Sequence, residues 1–192
     1  MQLLPAADRQ AAPWKNGGGL TREVAVWPPG AGFDDFDWRV SMAEIHANGP
    51  FSAFPGVDRF LAVTAGSGLR LSIRGEPPLR LDTNTPPIHF TGDAPCEAAL
   101  LAGPVSDLNV MVRRGRFDAR VRRTDINGFA SVITEVEQTL VVALGPLTLG
   151  NGECLDRNDA VLLRRGEALR VQAEAARILI VELERLAGAR GV

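Results

Sequence analysis

The sequence predicts an all-β protein made of two β-barrels or jelly rolls in one chain. Runs of roughly four to eight residues rich in Val, Leu, Ile and Phe recur along it, separated by Gly, Pro, Asn or Asp. Helical periodicity is weak except for a last turn at 184–187. RFLAVTAG at 59–66 is echoed by TLVVALG at 139–145, and DLNVMV at 107–112 by RILIVEL at 177–183, which indicates an internal repeat.

Eleven segments have the composition of β-strands, and turn-forming residues separate them. In chain order the predicted strands are 21–27, 37–45, 59–64, 69–73, 96–101, 107–113, 131–136, 139–144, 160–163, 169–172 and 178–183. The two echoes divide them between an N-terminal half, 1–113, and a C-terminal half, 114–192, which are expected to form one compact unit. A single irregular sandwich is the alternative architecture.

Composition favours a globular, cytoplasmic protein that binds neither nucleic acid nor membranes. The chain has 192 residues, 45% of them hydrophobic, which is enough for a core. Its net charge of −2 argues against a polyanion binder. No apolar stretch approaches the roughly 18 residues of a membrane span, and the N-terminus does not resemble a secretion signal. Cys96 and Cys154 lie outside any CxxC or Cys/His cluster and are expected to be buried thiols.

One local basic run interrupts this balance of charge. It lacks interleaved aromatic residues, so a solvated strand edge is the favoured interpretation. A homodimer is expected only through a different surface, a continuous apolar strand edge exposed by the two halves. The run comprises Arg113, Arg114, Arg116, Arg120, Arg122 and Arg123.

The segment WKNGGGLTRE at 14–23 is the first unusual polar motif. Lys15 is the only lysine in a chain with 21 basic residues, which suggests a specific contact that an arginine would not make. The glycines at 17–19 would let backbone N–H groups approach a ligand, so with Lys15 and Asn16 they could form an anion-holding loop. A flexible turn before the first long strand is the alternative. The GxxxxGK[ST] order of a phosphate-binding loop is absent.

Strand alternation groups the polar residues of two further motifs. In DWRVSMAEI, Arg39, Ser41 and Ala43 share one face, and in DLNVM the side chains of Asp107 and Asn109 do so. Short hydrogen-bonding side chains beside an arginine are typical of a narrow cavity, although a solvated face would also fit.

Two arginines in these motifs could bind an anion. A buried Arg39 would need a partner, and Asp107 is the expected one. Arg59 ends GPFSAFPGVDR, where Phe54 could form a pocket wall and Ser52 could offer a hydroxyl. In the alternative interpretation, the phenylalanines are core and Arg59 forms a surface ion pair with the preceding aspartate.

The sequence predicts neither a metal site nor a cofactor. His46 and His89 are the only histidines, and no HxH motif occurs. No GxSxG elbow or paired nucleophile is present, so no catalytic residue is assigned. Lys15 as a Schiff-base or general-base residue is the one specific catalytic hypothesis, and a cofactor-free enzyme could use Lys15 or Asp107 as its base.

Several separated motifs together resemble the HutD/Ves family over residues 4–184. They are WKNGGGLTREVAV, FDWRVSMAEI, GPFSAFPGVDRFL, FTGD at 90–93 and SDLNVMVRR. The resemblance implies a bacterial, metal-free double cupin of the RmlC-like superfamily. Members of the HutD branch accompany histidine-utilisation genes, and the Ves branch is named for stress induction. The family motifs contain Trp14, Lys15, Asn16, Arg39, Ser41, Ser52, Phe54, Arg59, Asp107 and Asn109.

The expected function is therefore a regulatory protein that senses a small anionic metabolite of histidine catabolism. Urocanate or an N-formylated amino acid would lie between Lys15, Arg39 and Arg59. A cofactor-free isomerase or hydrolase acting on a small carboxylate is the main alternative. A stress-induced protein-interaction module is the other.

Overall fold

The computed structural model describes residues 1–14 and 16–188. These residues form one short 3-10 turn, Ala6–Asp8, and otherwise strands and connecting loops. The strands are β1 Gln2–Leu4, β2 Ala11–Pro13, β3 Gly19–Trp27, β4 Trp38–Ile45, β5 Gly49–Phe51, β6 Val57–Ala65, β7 Leu69–Ile73, β8 Leu79–Leu81, β9 Ile88–Thr91, β10 Cys96–Leu100, β11 Val105–Arg113, β12 Phe117–Ile133, β13 Gln138–Ala143, β14 Leu147–Leu149, β15 Cys154–Leu155, β16 Ala160–Arg164 and β17 Ala168–Arg185.

The chain divides into two compact units. One is Gln10–Arg114, and the other combines Met1–Arg9 with the chain from Gly115 onward. The first nine residues belong with the C-terminal half because β1 pairs antiparallel with β16. This assignment differs from the predicted division of the chain into 1–113 and 114–192.

The unit Gln10–Arg114 contains two antiparallel sheets. Six strands follow the order β2-β3-β4-β11-β6-β9, and four follow the order β5-β10-β7-β8. A shared apolar cluster includes Ile45, Leu61 and Val63 from the larger sheet and Leu71 and Ala98 from the smaller one. Burying such aliphatic side chains between two sheets is the main contribution to the stability of this unit.

The other unit contains one seven-stranded sheet. Its strands follow the order β1-β16-β13-β17-β14-β15, and β12 pairs along β17. Its core is aliphatic and includes Val141, Leu163, Val171 and Ile180. Among the described residues of this unit, the buried polar side chains are Thr134, Gln138 and Thr139. The buried charged side chains of the described residues, Asp37, Arg59 and Asp107, all lie in the unit Gln10–Arg114.

Most predicted strands are confirmed, but three assignments are wrong. The segments 169–172 and 178–183 belong to one strand, β17, and 131–136 overlaps the end of the seventeen-residue strand β12. The predicted helical turn at 184–187 does not form, because Glu184 and Arg185 pair with Asp118 and Phe117 of β12.

Two other surface predictions have different outcomes. Cys154 is exposed rather than buried, since in the two-residue strand β15 it is Leu155 that points into the core. The basic run does include a solvated edge, because β17 is the only strand paired with β12 in the described chain. Arg120 and Arg122 of β12 are exposed. No helix within the described residues is long and apolar enough to cross a membrane.

Candidate ligand-binding site

The predicted polar residues share the inner face of the six-stranded sheet. Asn109 of β11 lies opposite Ser41 of β4, and Met111 lies opposite both Arg39 of β4 and Arg59 of β6. Directly opposed residues of antiparallel strands project to the same side, and so do alternate residues of one strand. Asp107 therefore joins this set.

This face is buried, so the alternative of a solvated face is wrong. Ile45, Leu61 and Val63 project from it into the core shared with the four-stranded sheet. Ser41, Asp107 and Asn109 are only 3%, 2% and 8% exposed. We call this set of inner polar side chains, Arg39, Ser41, Arg59, Asp107 and Asn109, the inner polar cluster.

Arg59 is the buried cation of the cluster. It is 5% exposed, so the proposed surface ion pair with Asp58 is wrong, and Asp58 instead pairs with Arg114 at 2.7 Å. The Nε and Nη2 atoms of Arg59 donate to Asn109 Oδ1 at 3.2 and 3.0 Å. Its Nη1 donates to the main-chain oxygen of Ser52 at 3.2 Å. All three hydrogen bonds that Arg59 donates therefore go to neutral acceptors.

The environment of Arg59 disfavours a charged group. Burial lowers the pKa of Arg59, and the nearby Cys96 and Asp107 act in the opposite direction. Three aromatic rings surround the guanidinium carbon, with centroids at 5.1 Å for Phe90, 5.5 Å for Phe51 and 5.6 Å for Phe54. These rings exclude water while offering cation–π contact.

Ser52 and Phe54 are placed by the turn that precedes β6. The prediction assigned Ser52 a hydroxyl contact, but Ser52 accepts a hydrogen bond from Arg59 through its main-chain carbonyl group, and the residue is exposed. Phe54 is half-buried and stacks on Phe33 at 5.8 Å between ring centroids. Phe54 thus packs beside both Phe33 and the guanidinium of Arg59, and its role as the wall of a ligand pocket stays a prediction.

Arg39 has a different partner from the predicted one. Its Nη1 lies 2.8 Å from Glu23 Oε2, and its guanidinium carbon lies 4.3 Å from the ring centroid of Phe33. Asp107 is opposite Ala43, four positions along β4 from Arg39, so it is poorly placed to pair with it. Glu23 is opposite Ser41 on the same face. The sequence could have indicated Glu23, because strand alternation in the TRE segment places it on the same face as Thr21.

Asp107 is the most unusual acid of the cluster. Its side chain is fully buried, and its Oδ1 atom has no hydrogen-bond partner among the described residues. Burial raises the pKa of Asp107 to about 7, and the positive charge of Arg59 only partly opposes this effect. A buried carboxyl group with a pKa near neutrality is typical of functional sites.

The glycine-rich segment closes on itself. Gly17 N donates to Trp14 O at 3.0 Å, and Gly18 N donates to Asn16 Oδ1 at 3.0 Å. These two N–H groups are thus already used, which weighs against the predicted anion-holding role of the loop. Asn16 is exposed and acts within the turn. Lys15 lies outside the described residues.

Trp14 connects this turn to strands β3 and β5. Its Nε1 donates to Thr21 Oγ1 at 2.8 Å, and its ring meets Phe51 edge-on with centroids 6.3 Å apart. Gly19 packs tightly against the main chain of β4, since a Cβ atom at this position would lie 2.3 Å from the main-chain oxygen of Glu44. The motif is therefore required at least for tight packing of β3 on β4.

The described residues contain no group of three or more His, Cys, Asp or Glu side chains arranged to hold a metal ion. His46 lies 3.7 Å from Glu44, and His89 lies 4.0 Å from Asp58. Each histidine is thus close to a single carboxylate.

Solved structures with little sequence similarity define the fold class. A cupin 2 conserved barrel domain protein from Leptotrichia buccalis superposes with a TM-score of 0.56 at 11% identity, covering 86% of this chain and 89% of that chain. The all-β chain described above therefore has the cupin fold.

Closer relatives identify the family. The HutD family model matches residues 6–181, and the chain belongs to the HutD family. A solved structure described as HutD from Pseudomonas fluorescens SBW25 (formate condition) has a TM-score of 0.83 at 29% identity, covering 97% of this chain and 99% of that one.

Two curated relatives match over a shorter segment. An uncharacterised 21.2 kDa protein in the hutC 3′ region of Pseudomonas putida is 38% identical over 128 residues, which is 65% of each chain. Protein Ves of Citrobacter koseri is 41% identical over 117 residues, which is 58% of each chain. The matched segment thus spans less than two thirds of both relatives.

Proposed function

We propose that the inner polar cluster binds a small carboxylate and that Arg59 is its main cationic contact. The observation that carries the proposal is the pairing of Arg59. A buried guanidinium usually has a carboxylate partner, because an uncompensated buried charge is unfavourable. Arg59 has hydrogen bonds only to an amide oxygen and a peptide oxygen among the described residues. An anionic ligand would complete its coordination.

The contacts around Arg59 fit a binding role. Asn109 and Ser52 fix the plane of the guanidinium group, which limits the entropy lost when a ligand binds. A planar guanidinium matches the two oxygens of a carboxylate. Charge-assisted hydrogen bonds contribute about 1.5 to 3 kcal/mol each before the cost of ordering the ligand. An affinity in the micromolar to millimolar range follows.

Arg39 has a secondary role in this proposal. Its ion pair with Glu23 already neutralises its charge. Arg39 would therefore help to shape the site and its electrostatic field, and would not act toward the ligand as a free cation. Ser41 and Asn109 supply neutral polar contacts on the same face. A ligand contact by Lys15 remains a prediction from sequence.

We further propose that the carboxylate is a metabolite of histidine catabolism and that binding serves regulation. Family membership supports this, as does the position of the Pseudomonas putida relative in a hutC 3′ region. Urocanate and N-formylated amino acids both carry a carboxylate compatible with Arg59. Formate belongs among the test compounds because it is the smallest carboxylate and is named for the Pseudomonas fluorescens HutD structure.

A thermal-shift screen tests the proposal. The purified, EDTA-treated chain is titrated with histidine, urocanate, imidazolone propionate, formiminoglutamate, N-formylglutamate and formate. A ligand that binds the native state raises the melting temperature, and the rise grows with the logarithm of the ligand concentration above its dissociation constant. We expect a dose-dependent rise for at least one carboxylate.

Matched arginine variants locate the effect. Arg59→Gln removes the buried charge, whereas Arg70→Gln removes the same charge from an exposed position of β7. The ligand-dependent rise should vanish in the first variant and persist in the second. If no compound raises the melting temperature, or if the rise survives in Arg59→Gln, the proposed site is wrong.

A cofactor-free enzyme is the second candidate. The observation that favours it is Asp107, a buried carboxyl group whose pKa is raised to about 7, as suits a general base at neutral pH. Incubating the chain with each compound of the screen and following the compound by NMR would reveal turnover. Product formed by the natural sequence and lost in Asp107→Asn would establish an enzyme; an unchanged spectrum would leave the binding protein.

A further inference from the structure

We infer that the ligand carries an N–H donor as well as a carboxylate, and that Asp107 accepts a hydrogen bond from this donor. This inference rests on the carboxylate site proposed above. It narrows the ligand class from any small anion to a compact molecule with a carboxylate at one end and an N–H group at the other. An imidazole, pyrrole, amide or amine nitrogen would meet this description.

The spacing along β11 supports the inference. Asn109 Oδ1 holds the guanidinium of Arg59, and Asp107 is the next residue of the same strand on the same face. Alternate residues of a strand are about 7 Å apart. A cationic group and an acidic group therefore face the same interior one repeat apart. A small molecule that has a carboxylate at one end and an N–H group at the other can therefore contact both Arg59 and Asp107.

The unpaired oxygen of Asp107 points to the kind of group that binds there. Buried polar atoms nearly always have hydrogen-bond partners, and those that lack one are often explained by function. The charged or titratable groups that face the same interior as Asp107 are Arg59 on β6, Arg39 on β4, Glu23 on β3 and Cys96 on β10. Within the described chain none of them donates to Asp107 Oδ1.

The protonation state of Asp107 gives two distinguishable modes of binding. Burial raises its pKa to about 7, so the carboxylate form predominates above neutrality and the acid form below it. The carboxylate accepts a hydrogen bond from a ligand N–H, whereas the acid would donate one to a ligand oxygen. Recognition of an N–H group must therefore strengthen as the pH rises through 7.

Matched heterocyclic carboxylates test the inference by calorimetry. The first pair is 3-(pyrrol-2-yl)propenoate and 3-(furan-2-yl)propenoate, which differ only in N–H against O. The second pair is a pyrrolecarboxylate and the matching furancarboxylate. Their carboxylate is attached directly to the ring, so the distance between the carboxylate and the ring N–H or O is shorter. We expect one pyrrole compound to bind about ten-fold more tightly than its furan analogue at pH 8.5, with a smaller preference at pH 6.

Variants at two positions assign the effect to a residue. Asp107→Ala should abolish the preference for pyrrole, and Asp107→Asn, which preserves the shape of the side chain, should abolish its pH dependence. The exposed Asp34→Asn should change neither. Furan binding that disappears in Arg59→Gln reports on the carboxylate site independently.

The outcomes separate the two proposals. If the furan compounds bind through Arg59 but the pyrroles bind no better, the inference about Asp107 is overturned and the carboxylate site stands. A preference for pyrrole over furan that is larger at pH 6 than at pH 8.5 in the natural sequence would also overturn the inference. If no compound binds at millimolar concentration, both proposals fail.

Discussion

Replacing Asp107 by Asn should stabilise the protein, and the gain should depend on pH. In the folded chain, burial raises the pKa of Asp107 from its ordinary value of 3.8 to about 7. A raised acid pKa means that folding favours the protonated form. The natural chain therefore has its full stability from this group below about pH 4, and loses it progressively as the pH rises through 7. Asparagine is neutral throughout and has no such loss.

The size of the effect follows from the two pKa values. A difference of about three pH units corresponds to roughly 4 kcal/mol, at about 1.4 kcal/mol per unit. No solvent screening reduces this figure, because the carboxyl group is fully buried. Whole domains are stable by only about 5 to 15 kcal/mol, so the effect is large.

Urea unfolding of both chains at pH 4.5, 6, 7 and 8.5 measures this effect. The free energy of unfolding of Asp107→Asn, relative to the natural chain, should increase by roughly 3 kcal/mol from the lowest to the highest pH, because roughly 1 kcal/mol is already lost at pH 4.5. The exposed Asp34→Asn is the control for a change of net charge, and its difference should be nearly constant. A constant difference for Asp107→Asn would refute the reasoning and indicate an unshifted carboxyl group, and a difference that falls as the pH rises would refute it and indicate a paired carboxylate.

Three further predictions concern other parts of the same unit and the exposed thiol. Gly19→Ala should lower the free energy of unfolding by about 2 kcal/mol or more in urea titrations, because the new Cβ would lie 2.3 Å from a main-chain oxygen. Asn109→Asp should weaken binding of any carboxylate found in the screen at least about ten-fold, since the new carboxylate would occupy the guanidinium of Arg59; unchanged affinity would contradict that site. In the folded chain a thiol reagent should label Cys154 rapidly and Cys96 slowly, because Cys96 is buried and its pKa is raised by burial; equal rates would contradict this packing.

The shared face of the cluster could be predicted from sequence because it depends on local geometry. Side chains alternate along any strand, so the placement of Arg39 with Ser41, and of Asp107 with Asn109, required no knowledge of neighbours. The same period-two pattern located most strands. The prediction began a strand only at 131, after the Asn and Gly at 127–128, whereas β12 also includes the residues before them because it pairs with β17 on both sides of this irregularity.

The partners of the two arginines could not be predicted in this way. Arg39 pairs with Glu23 because of the register between β3 and β4, which includes a shift between Glu23 and Ala25. A one-residue shift changes which side chains meet, and no local pattern reports it. The burial of Arg59 depends on Phe51 and Phe90, which come from other segments of the chain.

The contrast between these two arginines is the strongest argument for a ligand. Arg39 and Glu23 show that this inner face can hold an ion pair with direct contact, at 2.8 Å. Arg59 and Asp107 lie on the same face, and no hydrogen bond joins them among the described residues. A purely structural core would gain by pairing these opposite charges or replacing them with apolar side chains. Keeping them apart is unfavourable for folding and is understandable if a small molecule with complementary ends joins them.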